Sequence, residues 1–215
     1  MPAGLRSGLL KMKQILNDIY TWSWFSPEKG FDFNSYMFCS RQEWVIIDPV
    51  EIDVGKIKKL AGTASIILTN RDHERIAAKI REDFRAVIYA PALDAAQMEL
   101  KPDLTYDDGD SLPGGLKAIL IKHGKSEGET ALLWEERKIL FIGDAIIGWP
   151  KGEFSLLPAP KYREPEKAKE AVRELLKYDF DKVIVCDGIS VLENPKDAIR
   201  RFLERKDVFL SLPVR

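Results

Sequence analysis

The chain repeats one pattern from end to end: a short apolar run of strand length is stopped by polar or turn-forming residues. Runs that fit buried strands occupy residues 20–25, 35–40, 44–47, 65–69, 86–90, 116–122, 130–134, 139–142 and 182–186. Apolar residues at helical spacing occupy residues 52–60, 76–84, 93–100, 166–176 and 197–203. Strands and helices alternate in both halves, which predicts an α/β chain with mixed sheets and helices packed outside them.

No linker divides this pattern, so we expect one domain over residues 12–215. Residues 1–11 precede Met12-Lys13, which resembles an alternative start, and they are expected to form a disordered extension. Residues 148–162 form a long loop rich in Pro and Gly, and loops of this length often cover a functional site.

Composition limits the partners of the chain, which is 45% apolar and 31% charged with a formal net charge of −1. A near-neutral chain has no overall basic field to hold nucleic acid or an anionic membrane. No apolar stretch reaches the ~20 residues of a membrane span. Cys39 and Cys186 lie apart within apolar runs, which predicts reduced, buried thiols in a cytoplasmic protein. The expected partners are a small-molecule ligand and, in a homo-oligomer, further copies of the chain.

Histidine is scarce, since the chain contains only His73 and His123. A dinuclear zinc centre usually takes several imidazoles, because neutral nitrogen ligands bind zinc without accumulating negative charge. Two imidazoles cannot build such a centre. Asp72 is expected to cap a helix, and His73 to face solvent in the first turn of that helix.

Five short motifs follow one another in a fixed order. They are Asn34-Ser35-Tyr36 with residues 45–49, then residues 66–69, 107–110, 141–144 and 183–188. Their order and spacing resemble the metallo-β-lactamase superfamily over about residues 18–205. The resemblance implies a four-layered α/β-β/α sandwich, with two mixed β-sheets flanked by helices and a site along the strand ends between the sheets.

The resemblance also assigns residues to the metal-ligand positions of the family. The four ligand positions of its His-x-His-x-Asp-His loop correspond to Asn70, Asp72, Glu74 and Arg75. The histidine of its Gly-His-Thr motif corresponds to Lys125, its bridging aspartate to Asp144 and its last histidine to Asp187. Only Asp144 is a retained ligand. A shifted register would align Asp72-His73 with the Asp-His pair, but it would place the apolar Leu68 at the first ligand position.

Our first hypothesis is that no metal cofactor is bound, because Arg75 and Lys125 replace the ions among carboxylates that would otherwise repel one another. The chain would then be an atypical or inactive relative of the hydrolases. The side chains expected to form its ligand pocket are Asn70, Arg75, Asp144, Asp187 and Trp149.

The second hypothesis is that one divalent metal ion survives on Asp72, Asp144 and Asp187, whose oxygens favour Mg²⁺, Mn²⁺ or Ca²⁺ over Zn²⁺. Asp72 or Glu74 would then be the catalytic base, and Lys125 would stabilise the oxyanion. The substrate would be an ester, a thioester or a lactone. A third hypothesis is an interaction protein in which the pocket has no role.

Overall fold

The computed structural model describes residues 12–58 and 63–210, and the expected extension at residues 1–11 lies outside them. Within the described residues, one sheet has seven strands in sequence order: β1 Lys13–Leu16, β2 Ile19–Ser26, β3 Phe31–Ser40, β4 Glu43–Ile47, β5 Ser65–Ile67, β6 Val87–Pro91 and β7 Leu104–Tyr106. A second sheet has five strands in the order β12-β11-β10-β9-β8: β8 Ser111–Leu112, β9 Leu116–Leu120, β10 Thr130–Trp134, β11 Ile139–Ile142 and β12 Lys182–Val185.

Both sheets are mixed. Strands β1 to β4 pair antiparallel, and β4 to β7 pair parallel. In the second sheet only β11 and β12 are parallel. The described helices are α1 Val54–Lys58, α2 Ala77–Phe84, α3 Ala92–Ala95, α4 Pro165–Glu174 and α5 Pro195–Glu204. No helix among the described residues is long and apolar enough to cross a bilayer.

Successive side chains of a strand point to opposite faces of its sheet, and this divides the core into three apolar layers. Ile47 and Phe141 point between the two sheets, whereas their neighbours Ile46 and Leu140 point outward to the helices. The first sheet packs on α1 and α2, and the second sheet packs on α4 and α5. Sheets covered on both faces require the continuous apolar runs seen in the sequence. The predicted four-layered sandwich is confirmed.

The sequence pattern missed the short strands β1, β7 and β8, which offer too few residues for a periodicity to be detected. Helix α3 ends at Ala95 rather than near residue 100, and residues 59–62 of the predicted first helix lie outside the described residues. Cys186 is buried as predicted, but the prediction for Cys39 is wrong because its position near the end of β3 leaves it exposed.

The two sheets meet at one edge, where β4, β5, β11 and β12 end. The N–H of Thr130 donates to the carbonyl of Thr69 at 3.0 Å, and the N–H of Asn34 donates to the carbonyl of Cys186 at 2.6 Å. The residues that follow these strands therefore converge from both sheets on one place.

Candidate functional site

The loop after β5 takes its shape from Asn70. Its Oδ1 accepts the N–H of Asp72 at 2.9 Å and caps one turn of 3₁₀ helix, Arg71–His73. The prediction that Asp72 is the cap is wrong, because Asn70 fills that position. The carboxylate of Asp72 is left free to reach another segment.

The same turn directs His73 into the protein, where the residue is 1% exposed. Its Nδ1 lies 2.8 Å from Oδ2 of Asp48, and its Nε2 lies 3.5 Å from Oδ1 of Asp144. Asp48, buried after β4, also accepts the N–H of Thr69 at 2.9 Å and the Thr69 hydroxyl at 2.6 Å. The prediction of a solvent-facing His73 is wrong because it assumed an α-helical first turn.

The two carboxylates decide the charge of the imidazole. Burial lowers the pKa of His73, and so does the charge of Arg75. Asp48 and Asp144 outweigh both effects and raise the pKa of His73 to about 10. Burial opposes ionisation of Asp144, yet the charges of His73 and Lys125 hold the pKa of Asp144 well below its usual range. At neutral pH His73 is therefore an imidazolium whose two N–H groups face carboxylates.

Lys125 joins two segments of the site. Its Nζ lies 2.6 Å from Oδ2 of Asp72 and 2.8 Å from Oδ2 of Asp144. Burial lowers the pKa of Lys125, but Asp144 and Asp72 outweigh burial and raise it. The ammonium is charged and lies between two carboxylates, one from each sheet.

Arg75 and Asp187 form a looser pair, with Nη2 lying 3.5 Å from Oδ1. The guanidinium also lies 4.7 Å from the centre of the Phe33 ring. Its buried Nη1 has no hydrogen-bond partner among the described residues. Burial and the nearby charge of Asp144 raise the pKa of Asp187 to about 7, although His73 and Arg75 act in the opposite direction. The charges around Asp187 therefore do not fully offset its burial.

Glu129 is a site residue that the sequence analysis missed. It is fully buried directly before β10, and its Oε2 accepts Nδ2 of Asn70 at 3.2 Å. That same Nδ2 lies 3.5 Å from Oδ2 of Asp144. Burial, followed by repulsion from Asp144, raises the pKa of Glu129 well above its ordinary value. The available signal was an acidic residue directly preceding a buried apolar run.

Glu74 and Trp149 lie apart from this cluster. The Glu74 carboxylate accepts the N–H groups of Glu99 at 2.9 Å and Leu100 at 2.6 Å. Trp149 is 44% exposed, although Gly148 beside it donates its N–H to the carbonyl of Asp187 at 2.9 Å. Glu74 thus supports a neighbouring loop, and Trp149 is a largely exposed side chain outside the buried cluster.

The centre of the cluster is buried, whereas Lys125 and Asp72 at its edge are partly exposed. Asp144 and Asp187 are each 3% exposed, and Asn70 is fully buried. His73, Asp144 and Asp187 each offer one possible ligand atom, and these three atoms lie within 4.8 Å of one another. Open grooves flank the cluster, one bordered by Lys125 and the other by Asp72, Glu74 and Arg75.

The comparisons with known proteins agree with this architecture. The model of a family described as the metallo-β-lactamase superfamily matches residues 12–205. Comparison with the curated protein sequences gives no match.

Several solved structures share the fold at low sequence identity. A metallo-β-lactamase from Pontibacter korlensis has a TM-score of 0.74 at 12% identity, with 90% of this chain and 97% of that chain covered. An archaeal metallo-β-lactamase superfamily protein from Sulfolobus tokodaii has a TM-score of 0.68 at 14% identity, with 92% and 90% covered. A metallo-β-lactamase family protein from Thermus thermophilus has a TM-score of 0.65 at 14% identity, with 88% and 79% covered. Because the family model spans nearly the whole chain, the protein belongs to the metallo-β-lactamase superfamily.

Proposed function

We propose that this protein has lost the dinuclear zinc centre of its superfamily and is an atypical member that binds a small ligand rather than hydrolysing one. The observation that carries the proposal is the ammonium of Lys125, 2.6 Å from Asp72 and 2.8 Å from Asp144. A positive side chain here neutralises the acids that a metal ion would otherwise neutralise.

The donor set does not fit two zinc ions. Both ring nitrogens of His73 face carboxylates, and Nδ1 of His123 lies 2.9 Å from Glu164. None of the positions that the resemblance assigns to histidine ligands holds a histidine. They hold the amide of Asn70, the acids Asp72 and Asp187, the guanidinium of Arg75 and the ammonium of Lys125. A divalent ion ~4 Å from the ammonium would be repelled by roughly 8 kcal/mol at an effective dielectric near 20.

The charges of the cluster nearly balance without a metal. The cations His73, Arg75 and Lys125 face the acids Asp48, Asp72, Asp144 and Asp187. One negative charge is left over, in keeping with the raised pKa of Asp187. Partial protonation of Asp187 at neutral pH thus reduces the excess charge that would attract an ion.

Elemental analysis of the purified protein after dialysis against zinc tests this proposal, and we expect less than stoichiometric zinc. The variant Lys125→Ala, which removes the ammonium, should bind divalent ions about tenfold more tightly than wild type. Lys122→Ala, at an exposed lysine three residues away, is the matched control and should not change binding. Stoichiometric zinc in the wild-type protein would overturn the proposal.

The second candidate function is a mononuclear metal-dependent hydrolase. The grouped ligand atoms of His73, Asp144 and Asp187 favour it, since one ion could be held there. Asp72 would act as the base on an ester, thioester or lactone, since Glu74 is held by the N–H groups of Glu99 and Leu100, and Lys125 would stabilise the oxyanion. One equivalent of a divalent ion, with esterase or lactonase activity that is lost on chelation, would establish this function.

The cellular setting is also a proposal. The free thiols of Cys39 and Cys186 favour a reducing, cytoplasmic compartment. The formal net charge of −1 argues against a nucleic-acid or membrane partner.

A further inference from the structure

Two adjoining cavities form one groove beside the cluster. The larger, of about 580 Å³, lies along the loop that carries Lys125. The smaller, of about 220 Å³, lies between α3 and the start of β10. Leu93 and Leu120 line both cavities, so the two adjoin at these side chains. Their combined size is in the range of pockets that hold small organic ligands.

The inner end of the groove is mainly apolar, although Asp107 and Asp108 also line it. Leu93 is 49% exposed and lines both cavities, so its side chain presents apolar surface to the groove. Tyr106 also lines this end, and its hydroxyl is already used in a 2.6 Å hydrogen bond to the carbonyl of Leu68. The inner end therefore offers apolar surface to a ligand.

The outer end carries positive charge that the cluster does not use. Lys122 lines it and forms no ion pair among the described residues. The Arg163 guanidinium is 88% exposed and lies 3.8 Å from its nearest carboxylate, that of Glu127. Glu164, another acid at this end, is paired with His123 at 2.9 Å and with Lys167 at 2.5 Å. Lys122 and Arg163 thus remain available to an incoming anion.

Asp94 holds the walls of the groove together. Its fully buried carboxylate accepts the N–H of Arg71 at 3.0 Å, the hydroxyl of Ser126 at 2.7 Å and the N–H of Gly128 at 3.0 Å. These residues belong to the two loops that border the groove. A groove fixed in this way loses little conformational entropy when a ligand binds.

We propose that the groove binds a small amphiphilic anion, with a carboxylate or phosphate head at Lys122 and Arg163 and a short apolar body against Leu93 and Leu120. This inference rests on the ligand-binding part of the proposed function and gives the chemical class of the ligand. A head group alone would lack the apolar contacts, and an apolar body alone would lack the charge contacts.

Isothermal titration calorimetry on the full chain tests the groove with hexyl phosphate and hexanoate as probes. Inorganic phosphate and hexanol are the controls that carry only the head or only the body. We expect one of the two probes to bind at least about tenfold more tightly than either control. Comparison of the two probes identifies the preferred head group.

Variants locate the binding. Lys122→Ala and Leu93→Ser, both at exposed positions, should each weaken binding by about tenfold. Lys79→Ala and Leu104→Ser, at exposed positions outside the groove lining, should leave binding unchanged. Equal losses in groove and control variants, or no binding of either probe, would overturn the inference.

The titrations are repeated after dialysis against zinc, so that this inference and the proposed function fail separately. Zinc uptake together with unchanged probe binding would refute the loss of the zinc centre and still support the groove. Metal-free protein that binds neither probe would refute the groove alone.

Discussion

Alkaline pH should destabilise this protein mainly through one buried imidazole, with a smaller contribution from Asp187, whose pKa of about 7 lies at the start of the same range. The pKa of His73 rises from its ordinary value of 6.5 to about 10 in the folded chain. Since the folded state holds the proton more tightly than the unfolded chain, this group stabilises the fold fully below pH 6.5. The stabilisation is lost progressively as the pH rises from 6.5 through about 10.

The size of the effect follows from the size of the pKa shift. Each pKa unit corresponds to about 1.4 kcal/mol, so the change from 6.5 to about 10 corresponds to roughly 5 kcal/mol. Because domains are stable by only about 5–15 kcal/mol, a loss of this size would approach complete unfolding for a protein at the lower end. Lys125, whose pKa is raised, stays charged over this range and does not contribute to the loss.

Urea unfolding at several values between pH 6.5 and 10 measures the loss as a fall in the free energy of unfolding. His73→Gln should be less stable than wild type at pH 6.5 and should show a much smaller fall. His123→Gln removes the half-exposed histidine and should keep the wild-type slope.

Nuclear magnetic resonance of the histidine side chains gives an independent reading, since the chain has only two histidines and each variant assigns one signal. We expect the His73 ring to remain doubly protonated at pH 8. Titration of His73 near pH 6.5, or equal slopes in wild type and His73→Gln, would refute the charge assignment of the cluster.

Three further substitutions probe the same cluster by urea unfolding at pH 7. Glu129→Gln should change stability by less than about 1 kcal/mol, because burial and the charge of Asp144 raise the pKa of Glu129 and so favour its uncharged form. Asp144→Asn should cost about 3–5 kcal/mol, because it removes the carboxylate that faces both Lys125 and the buried imidazolium of His73. Gly143→Ala should cost at least about 1–3 kcal/mol, since its Cβ would lie 2.3 Å from Oγ1 of Thr69; a neutral result would show that this contact relaxes freely.

The layered fold could be predicted because its main strands are continuous apolar runs. Site residues that belong to the ordered motifs could be placed from the resemblance. Asp144 and Lys125 meet as the resemblance implied. His73 escaped prediction because one turn of 3₁₀ helix, rather than an α-helix, sets its direction. Glu129 escaped because its partner Asn70 lies 59 residues away in the chain and on the other sheet. Local patterns give no information about pairings of that range.

The ion pairs of the cluster share one geometric property. Lys125 follows a strand of the second sheet and reaches Asp72 of the first, whereas Arg75 of the first sheet reaches Asp187 of the second. His73, also from the first sheet, faces Asp144 of the second. Each cation therefore links the two sheets at the edge where their strands end.

Such a set of links would keep the edge of the sandwich closed without a metal ion, because Asp72, Asp144 and Asp187 each face a cation of the other sheet. Asp48, Asp144 and Asp187 are almost completely buried, whereas the side chain of Asp72 is 43% exposed. Under the proposed function, a ligand binds on the surface beside the buried acids, where Lys122 and Arg163 keep charges that the cluster has not neutralised. The need to link the strand ends of the two sheets by ion pairs thus explains why these acids are retained without a metal ion. It also explains why the groove lies beside the acids and not among them.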